Sequence, residues 1–493
     1  MDAVQTFADR ERRPPMDSET LLREISDYCR LAGMAESTFG RRAVNDGKFV
    51  SRLRYGGRVT LTTVERVHTF IESNTKTAAN DSQPRSIFPY PSNHVARTPV
   101  LVPAAVAASA EDTLERPEQN FRFFDNRQKY LMFVNTTSEK LVVSRRVDLE
   151  LGSIRPRPPA VRLFDAGVGD GTVLTRLMRS MHRRFERMPF YIVGKEISLE
   201  DVRLALEKFS DRFQEHPATV LVMTNLNYAE APWLVPSSPA LAAGLVWHEI
   251  ALRGTTAGEF DEQITDLHPF LAENWRARVS KTSGNPVYEK PVVLVLYRED
   301  CRFLLDSLLP RRGAVRADYD LVVASQAYRA RAPVAFKANR VIAPLTRSLA
   351  PGGRLIGIHS CGGDPGLEIV RGMWPDENPF KTNRYELLRA TKAELGKSAR
   401  HYNFNTYADA RSVFRYDMNT LPNELDAESA IGTSTLLAAW NAATYVAQIE
   451  DQRLTEAMAS DLYLKTTREV LRRNQGLWFF DESYVISRKA DLV

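Results

Sequence analysis

Three glycines alternate at Gly167, Gly169 and Gly171, two residues after an acid, Asp165, and directly before Thr172. A short β run at residues 161–164 leads in, and Val173, Leu174, Leu177 and Met178 mark one apolar face of a following helix. Strand, glycine turn and helix in that order let a nucleotide-like ligand approach the backbone at the carboxyl end of a strand. The spacing narrows the ligand. A dinucleotide fingerprint needs G-x-G-x-x-G, whereas here the third glycine comes one residue early and Thr172 stands in its place. An acid before the turn would repel a pyrophosphate and suits a ligand that carries positive charge.

Further segments repeat the pattern. Residues 190–196 read as a second strand ending in Glu196, and residues 219–224 as a third, followed by Asn225 and Leu226. Residues 319–325 read as a fourth strand ending at Ser325, residues 337–349 as the helix after it, and residues 350–358 as a turn and a fifth strand. Residues 477–480 and 483–488 have the look of a closing antiparallel hairpin. In this order and spacing, residues 118–225 and 318–493 resemble the class I S-adenosylmethionine-dependent methyltransferases. The resemblance implies an α/β fold, a seven-stranded Rossmann-like sheet with helical insertions, and S-adenosylmethionine as cofactor. It also implies roles. Gly167, Gly169 and Gly171 would pass the methionyl and ribose parts close to backbone, and Asp165 would act through water or on the methionyl amino group. Glu196 would accept hydrogen bonds from the ribose hydroxyls, Asn225 and Leu226 would contact adenine, and Ser325 would close the site.

The acceptor side is less explicit. Ser325-Gln-Ala-Tyr328 lacks the prolines of the DNA amino-methyltransferase clamp, and none of the three cysteines follows a proline as a cytosine C5 nucleophile must. Both familiar routes to base methylation are therefore disfavoured, and a small-molecule acceptor is the first reading. Proton-acceptor candidates are Tyr328, His248 beside Glu249, and His359, each with a plain structural role as the alternative.

A chain of 493 residues, 43% hydrophobic and 26% charged, has the composition of globular domains. Net charge +5 permits a polyanionic partner without requiring one. Cys29, Cys301 and Cys361 are odd in number and far apart, which argues against a disulfide framework or a metal cluster and fits a cytoplasmic protein. No apolar run has the length of a membrane span. A homodimer is compatible with all of this.

Residues 1–73 form a separate helical unit, joined through a linker at residues 74–117, rich in Asn, Ser, Thr, Pro and Ala, to a methyltransferase-like region at residues 118–493. Helices are expected from about residue 18, over residues 37–44 and 48–54, and over residues 60–73, with a turn at Asn45-Asp-Gly47. The unit is similar to the lambda-repressor-like helix-turn-helix fold. Arg41, Arg42, Lys48, Arg52, Arg54 and Arg58 stand against one acid, Asp46, a concentration that suits phosphate contact and makes DNA a candidate partner. A helical docking domain with a solvated basic face is the alternative.

Within the larger region, residues 121–151 read as an amphipathic helical lead-in that brings Tyr130 and residues 136–139 over the cofactor. About ninety residues separate the third and fourth strands, far beyond an ordinary connection of roughly 4–6 residues. This insert, residues 226–317, reads as a lid or substrate-selecting subdomain with helices at residues 240–252, 259–278 and 299–309 and a β run at residues 291–297. Residues 380–475 read as a second helical insert, with helices at residues 436–449 and 457–473 whose Trp440, Tyr445 and Tyr463 are either core or substrate-facing. Two readings from other classes remain: a DNA-binding regulator that senses the cofactor without turnover, and a nucleic-acid or protein methyltransferase.

Overall fold

Val161–Asp165 (β1), Phe190–Lys195 (β2) and Thr219–Thr224 (β3) are short and almost wholly buried strands. Strands covered on both faces carry near-continuous apolar runs, and all three do. In the computed structural model the described residues are 18–31, 34, 36–54, 59–78, 127–280, 285–419 and 431–490. The chain divides into two compact units, Met1–Glu111 and Asp112–Val493.

The larger unit is built on one sheet. Its remaining strands are Val246–Leu252 (β4), Val292–Arg298 (β7), Tyr319–Ser325 (β8), Leu349–Ser360 (β9), Tyr402–Asn405 (β10), Val413–Asp417 (β11) and Trp478–Arg488 (β12), while Ala277–Val279 (β5) and Pro286–Tyr288 (β6) form a separate ribbon. The order is β10-β12-β9-β8-β1-β2-β3-β7-β4, with β11 also paired to β12. Strands β3, β2, β1, β8 and β9 run parallel, so their carboxyl ends share one edge. The chain leaves β1 toward β2 and β3 on one side and later returns to β8 and β9 on the other. That reversal opens a crevice at the end of β1, where α/β sheets bind ligands. One face of the sheet packs Leu163, Ile192, Leu221 and Leu321 against helices, and the other packs Phe164, Val193, Val222 and Val322.

The sheet has ten strands rather than the expected seven. Residues 226–317, read as a lid, supply two of the extra strands. Residues 240–252 are not one helix but a short helix, Pro239–Ala243, followed by β4. All seven residues of β7 are buried, because its Val-Val-Leu-Val-Leu-Tyr-Arg sequence can satisfy both apolar faces only inside a sheet. Asn225 fixes the join: its amide donates to the Lys290 carbonyl at 2.9 Å and accepts from the Val292 N–H at 2.8 Å. The closing hairpin is instead a single strand, β12, antiparallel to β9. Residues 380–475 hold β10 and β11 as well as helices, and Trp440 lies in the core against Trp374 and Tyr463. The lead-in is two helices, Arg127–Thr136 and Glu139–Leu151, broken where Thr137 bridges Met418 and Ser138 bonds Asp417. The stretch at residues 136–139 is thereby tied to β11.

In the smaller unit, the helices Ser18–Leu31, Glu36–Val44, Phe49–Arg54 and Leu61–Ala78 enclose Ile25, Phe39, Val50, Leu53 and Val67. Tyr28, Phe39 and Phe70 meet edge to face. The turn lies on Gly40, where a Cβ would stand 2.4 Å from the Asp46 carbonyl oxygen. The last helix runs past residue 73 to Ala78; the rest of the expected linker, and Arg58, lie outside the described residues.

Gly357 of β9 faces Tyr484 of β12, and a Cβ there would lie 2.0 Å from the tyrosine ring. Gly357→Ala should therefore cost about 1–3 kcal/mol by overpacking. Urea unfolding followed by tryptophan fluorescence measures it; an unchanged midpoint contradicts the packing.

Candidate functional site

Asp165 ends β1 with its carboxylate buried and accepting from the Gly167 N–H at 3.2 Å. The turn then needs two residues at positive φ, Gly169 at 54° and Gly171 at 79°, a region that costs a side-chain residue energy. Gly171 is also pressed by its neighbours, for a Cβ there would meet Ala205 Cα at 2.9 Å. Over Gly167 there is room: a Cβ would meet nothing nearer than the Ser325 carbonyl oxygen at 3.8 Å. Asp165, Gly167 and Ser325 are thus brought together where β1 and β8 end.

Glu196 follows β2 and binds the turn to the next helix. One oxygen accepts from the Gly169 N–H at 2.8 Å; the other accepts from Ile197 at 2.8 Å and Ser198 at 3.0 Å. A carboxylate offers about four acceptor positions, so roughly one remains. Two expected contacts are otherwise occupied. The Asn225 side chain is taken up by the β7 junction, and Leu226 is fully buried in the core.

Three side chains of this site were not anticipated or were anticipated only loosely. Tyr130 places its hydroxyl against the turn, accepting from the Asp170 N–H at 3.1 Å, and a Cβ on Gly169 would come within 2.9 Å of it. Tyr228 donates to the Ala327 carbonyl at 2.6 Å and lies under the Lys195 ammonium. Trp275 donates to the Glu196 carbonyl at 3.1 Å from the insert. Nothing in the local sequence of Tyr228 or Trp275 marks them.

Lys140 and Lys195 lie within electrostatic reach of the carboxyls of this crevice. Burial, with the Glu196 charge adding to it, pushes the Asp165 carboxyl up to about 7 despite the Gly167 hydrogen bond. Burial and then Glu196 also raise Asp201, against the pull of Arg127. Burial and then Glu139 raise Asp481 to about 8, and one of its oxygens is buried without a hydrogen-bond partner. A cationic ligand with hydroxyl donors fits Asp165 and Glu196: it would lie beside two carboxyls, use the space over Gly167 and engage the remaining acceptor of Glu196. S-adenosylmethionine has that chemistry.

Beside this crevice, the ends of β8 and β9 wall a narrow recess lined by Gln326, Tyr328, Lys337, His359 and Gln448. Two of the three proton-acceptor candidates meet here, with Tyr328 Oη 2.6 Å from His359 Nδ1. The third does not. His248 lies on β4, at the far edge of the sheet, stacked on Phe270 at 4.4 Å. Gln326 holds a φ of 50°, uncommon for a side-chain residue, and reaches Ser360 at 3.2 Å and Asp481 at 3.3 Å. Among the described residues no cluster could hold a metal ion and no helix is long and apolar enough to cross a membrane. The three cysteines are free.

In the smaller unit Arg41, Arg42, Lys48, Arg52 and Arg54 are all exposed. Arg54 pairs with Glu36 at 2.7 Å and Arg52 with Asp46 at 2.5 Å. Exposed pairs are worth about 0–1 kcal/mol, so a phosphate could replace either acid.

No family model matches the chain, and no curated protein does. Among solved structures it is similar to geranyl diphosphate methyltransferase in complex with GPP and sinefungin (13% identity, 70% of this chain and 77% of that one, TM-score 0.26). It is also similar to PKMT2 from Rickettsia typhi (12%, 72% and 53%, TM-score 0.25) and to the rRNA methyltransferase aviRa from Streptomyces viridochromogenes (14%, 44% and 73%, TM-score 0.18). Likeness this distant bears on neither activity nor substrate.

A carboxyl whose pKa is raised by folding adds stability below its unfolded value, near 4, and loses it as pH climbs through the folded value. Asp481→Asn removes that loss. Measured by urea midpoints, the variant should gain on the wild type steadily from pH 5 to 8.5; parallel curves would contradict the burial of an ionisable Asp481.

Proposed function

We propose that the larger unit is an S-adenosylmethionine-dependent methyltransferase acting on a small-molecule acceptor. One observation carries the reading: a glycine turn with open space over Gly167 lies between two strand-end carboxylates, Asp165 and Glu196. When bound, the cofactor supplies an electrophilic methyl group on a sulfonium centre. Glu196 would hold ribose hydroxyls, Asp165 would ionise fully beside the cation, and Gly167 would admit the ligand against backbone. Tyr130 would cover the turn and keep water from it. The acceptor would lie at the ends of β8 and β9, toward Tyr328 and His359.

Calorimetric titration with S-adenosylmethionine should give saturable binding in the micromolar range. Hydrogen bonds to a charged group are worth about 1.5–3 kcal/mol, so Glu196→Ala should weaken binding roughly 10- to 100-fold. Gly169→Arg should abolish it, because the new side chain must displace Tyr130. Unchanged affinity in both variants removes the cofactor assignment.

We further propose that the smaller unit binds DNA and tethers the enzyme. Its exposed basic residues on short helices joined by the residue 45–47 turn favour this. The full chain should retard duplex DNA at low salt, with affinity falling steeply as salt rises. Arg52→Ala with Arg54→Ala should weaken the shift; an insensitive or absent shift leaves a docking domain instead. A screen of metabolites, nucleic acid and protein with methyl-labelled cofactor separates catalysis from cofactor sensing and from macromolecular methylation.

A further inference from the structure

Tyr328, His359, Glu482 and Arg384 form a continuous buried chain. Tyr328 Oη lies 2.6 Å from His359 Nδ1, and His359 Nε2 lies 2.8 Å from Glu482 Oε1. Arg384 donates to the other Glu482 oxygen at 2.7 Å, and its backbone N–H donates to Oε1 at 2.7 Å. Its guanidinium also pairs with Asp409. Glu482 is 3% exposed and His359 5%, so the carboxylate and ring are held out of water at one end while Tyr328 faces the recess at the other.

We propose that Tyr328, His359 and Glu482 are a proton relay for an acceptor whose nucleophilic atom is a hydroxyl oxygen, a proposal that rests on the methyltransferase reading above. The hydrogen-bond inventory sets the direction of the relay. Glu482 is acceptor-only when ionised, so His359 Nε2 carries the proton and Nδ1 accepts. Burial opposes ionisation of Glu482, but the hydrogen bonds of His359 and Arg384 prevail and hold its carboxyl below the usual range. The single Tyr328 proton then goes to Nδ1, and Tyr484, 3.1 Å away, must donate to Tyr328 Oη. One lone pair of Oη is left for an incoming X–H. Burial raises the Tyr328 phenol well above its usual pKa, so it passes a proton rather than standing as a phenolate.

As the acceptor oxygen takes the methyl group, its O–H bond breaks and that proton moves to Tyr328 Oη. The Tyr328 proton moves to His359 Nδ1 in the same event, leaving an imidazolium between Tyr328 and the Glu482 carboxylate. Charge balances, since the positive charge lost at the sulfonium appears on the ring. The chemistry selects oxygen. A methylated amine is a stable ammonium that sheds its proton to water later, whereas an alcohol must lose its proton as the bond forms. Lys337 supports the geometry by donating to the Ala330 carbonyl at 2.8 Å with its ammonium 5.3 Å from the Tyr328 ring centre. It lies in a π-helical turn, Lys337–Ile342, of the kind often found at functional sites. Glu482 and Arg384 act through His359 and are positioning residues; Tyr328 is the catalytic residue.

Imidazole ¹⁵N spectra of the full chain test the relay without any acceptor, with His359 assigned from its loss in His359→Gln. The expected spectrum shows Nε2 protonated and Nδ1 as a hydrogen-bond acceptor. Tyr328→Phe shifts Nδ1, and Glu482→Gln moves the ring toward the Nδ1-protonated tautomer. A wild-type ring protonated at Nδ1, or an Nδ1 signal indifferent to Tyr328→Phe, overturns the relay; these two spectra decide even if Glu482→Gln does not fold. With methyl-labelled S-adenosylmethionine and a panel of small alcohols, phenols, amines and thiols, label should pass to hydroxyls. Tyr328→Phe should reduce that transfer roughly 10²-fold or more with cofactor affinity unchanged. Label found only on nitrogen or sulfur overturns the acceptor class. Absence of cofactor binding in the titration would strike the methyltransferase reading and leave the imidazole spectra to judge the relay separately.

Discussion

A buried carboxylate that accepts three backbone N–H groups holds the candidate site together. Glu196 reaches back to Gly169 and forward to Ile197 and Ser198, so the turn after β1 and the turn after β2 are one hydrogen-bonded object. Burying a charge is tolerable only when it is so satisfied. The consequence is a rigid crevice floor with two acids at its sides. Burial, and then the Glu196 charge, pushes the Asp165 carboxyl up to about 7 against the pull of the Gly167 hydrogen bond and Lys140.

The second organising feature is the antiparallel strand β12. The parallel strands bring their carboxyl ends to one edge, but β12 starts there, so Asp481, Glu482 and Tyr484 enter the same edge from the opposite direction. Glycine at position 357 makes room for the Tyr484 ring, and the hydroxyl then reaches Tyr328. One small residue on β9 thus permits a contact that joins three strands. The recess and the glycine-turn crevice are neighbours for the same reason: β8 ends between them, with Ser325 beside Gly167 and Tyr328 beside His359.

Strand ends were legible where the physics is local. The runs at residues 161–165, 190–195, 219–224 and 319–325 announce themselves by apolar continuity, and Asp165 and Glu196 by their place at the ends. The strands β4 and β7 were harder. Trp-His-Glu within residues 246–252 does not alternate cleanly, and β7 reads as a β run without revealing that it would extend the main sheet. Residues 477–488 contain Asp481 and Glu482, which read as a polar turn between two strands; they lie within one strand because Gln326, Ser360, His359 and Arg384 supply partners from distant segments.

Sequence by itself determined the glycine turn, the acids that flank it, the order of the central strands and the helical character of the described part of residues 1–73. These follow from periodicity, backbone freedom at glycine and the chemistry of adjacent side chains, all of which operate over a few residues. Only the tertiary structure decided that Tyr328 and His359 meet while His248 stands apart, that Asn225 pins a strand, and that Glu482 and Arg384 complete a buried chain. Such pairings depend on which strands become neighbours, and that is settled by burying apolar faces across the whole sheet rather than by any residue's near neighbours in sequence.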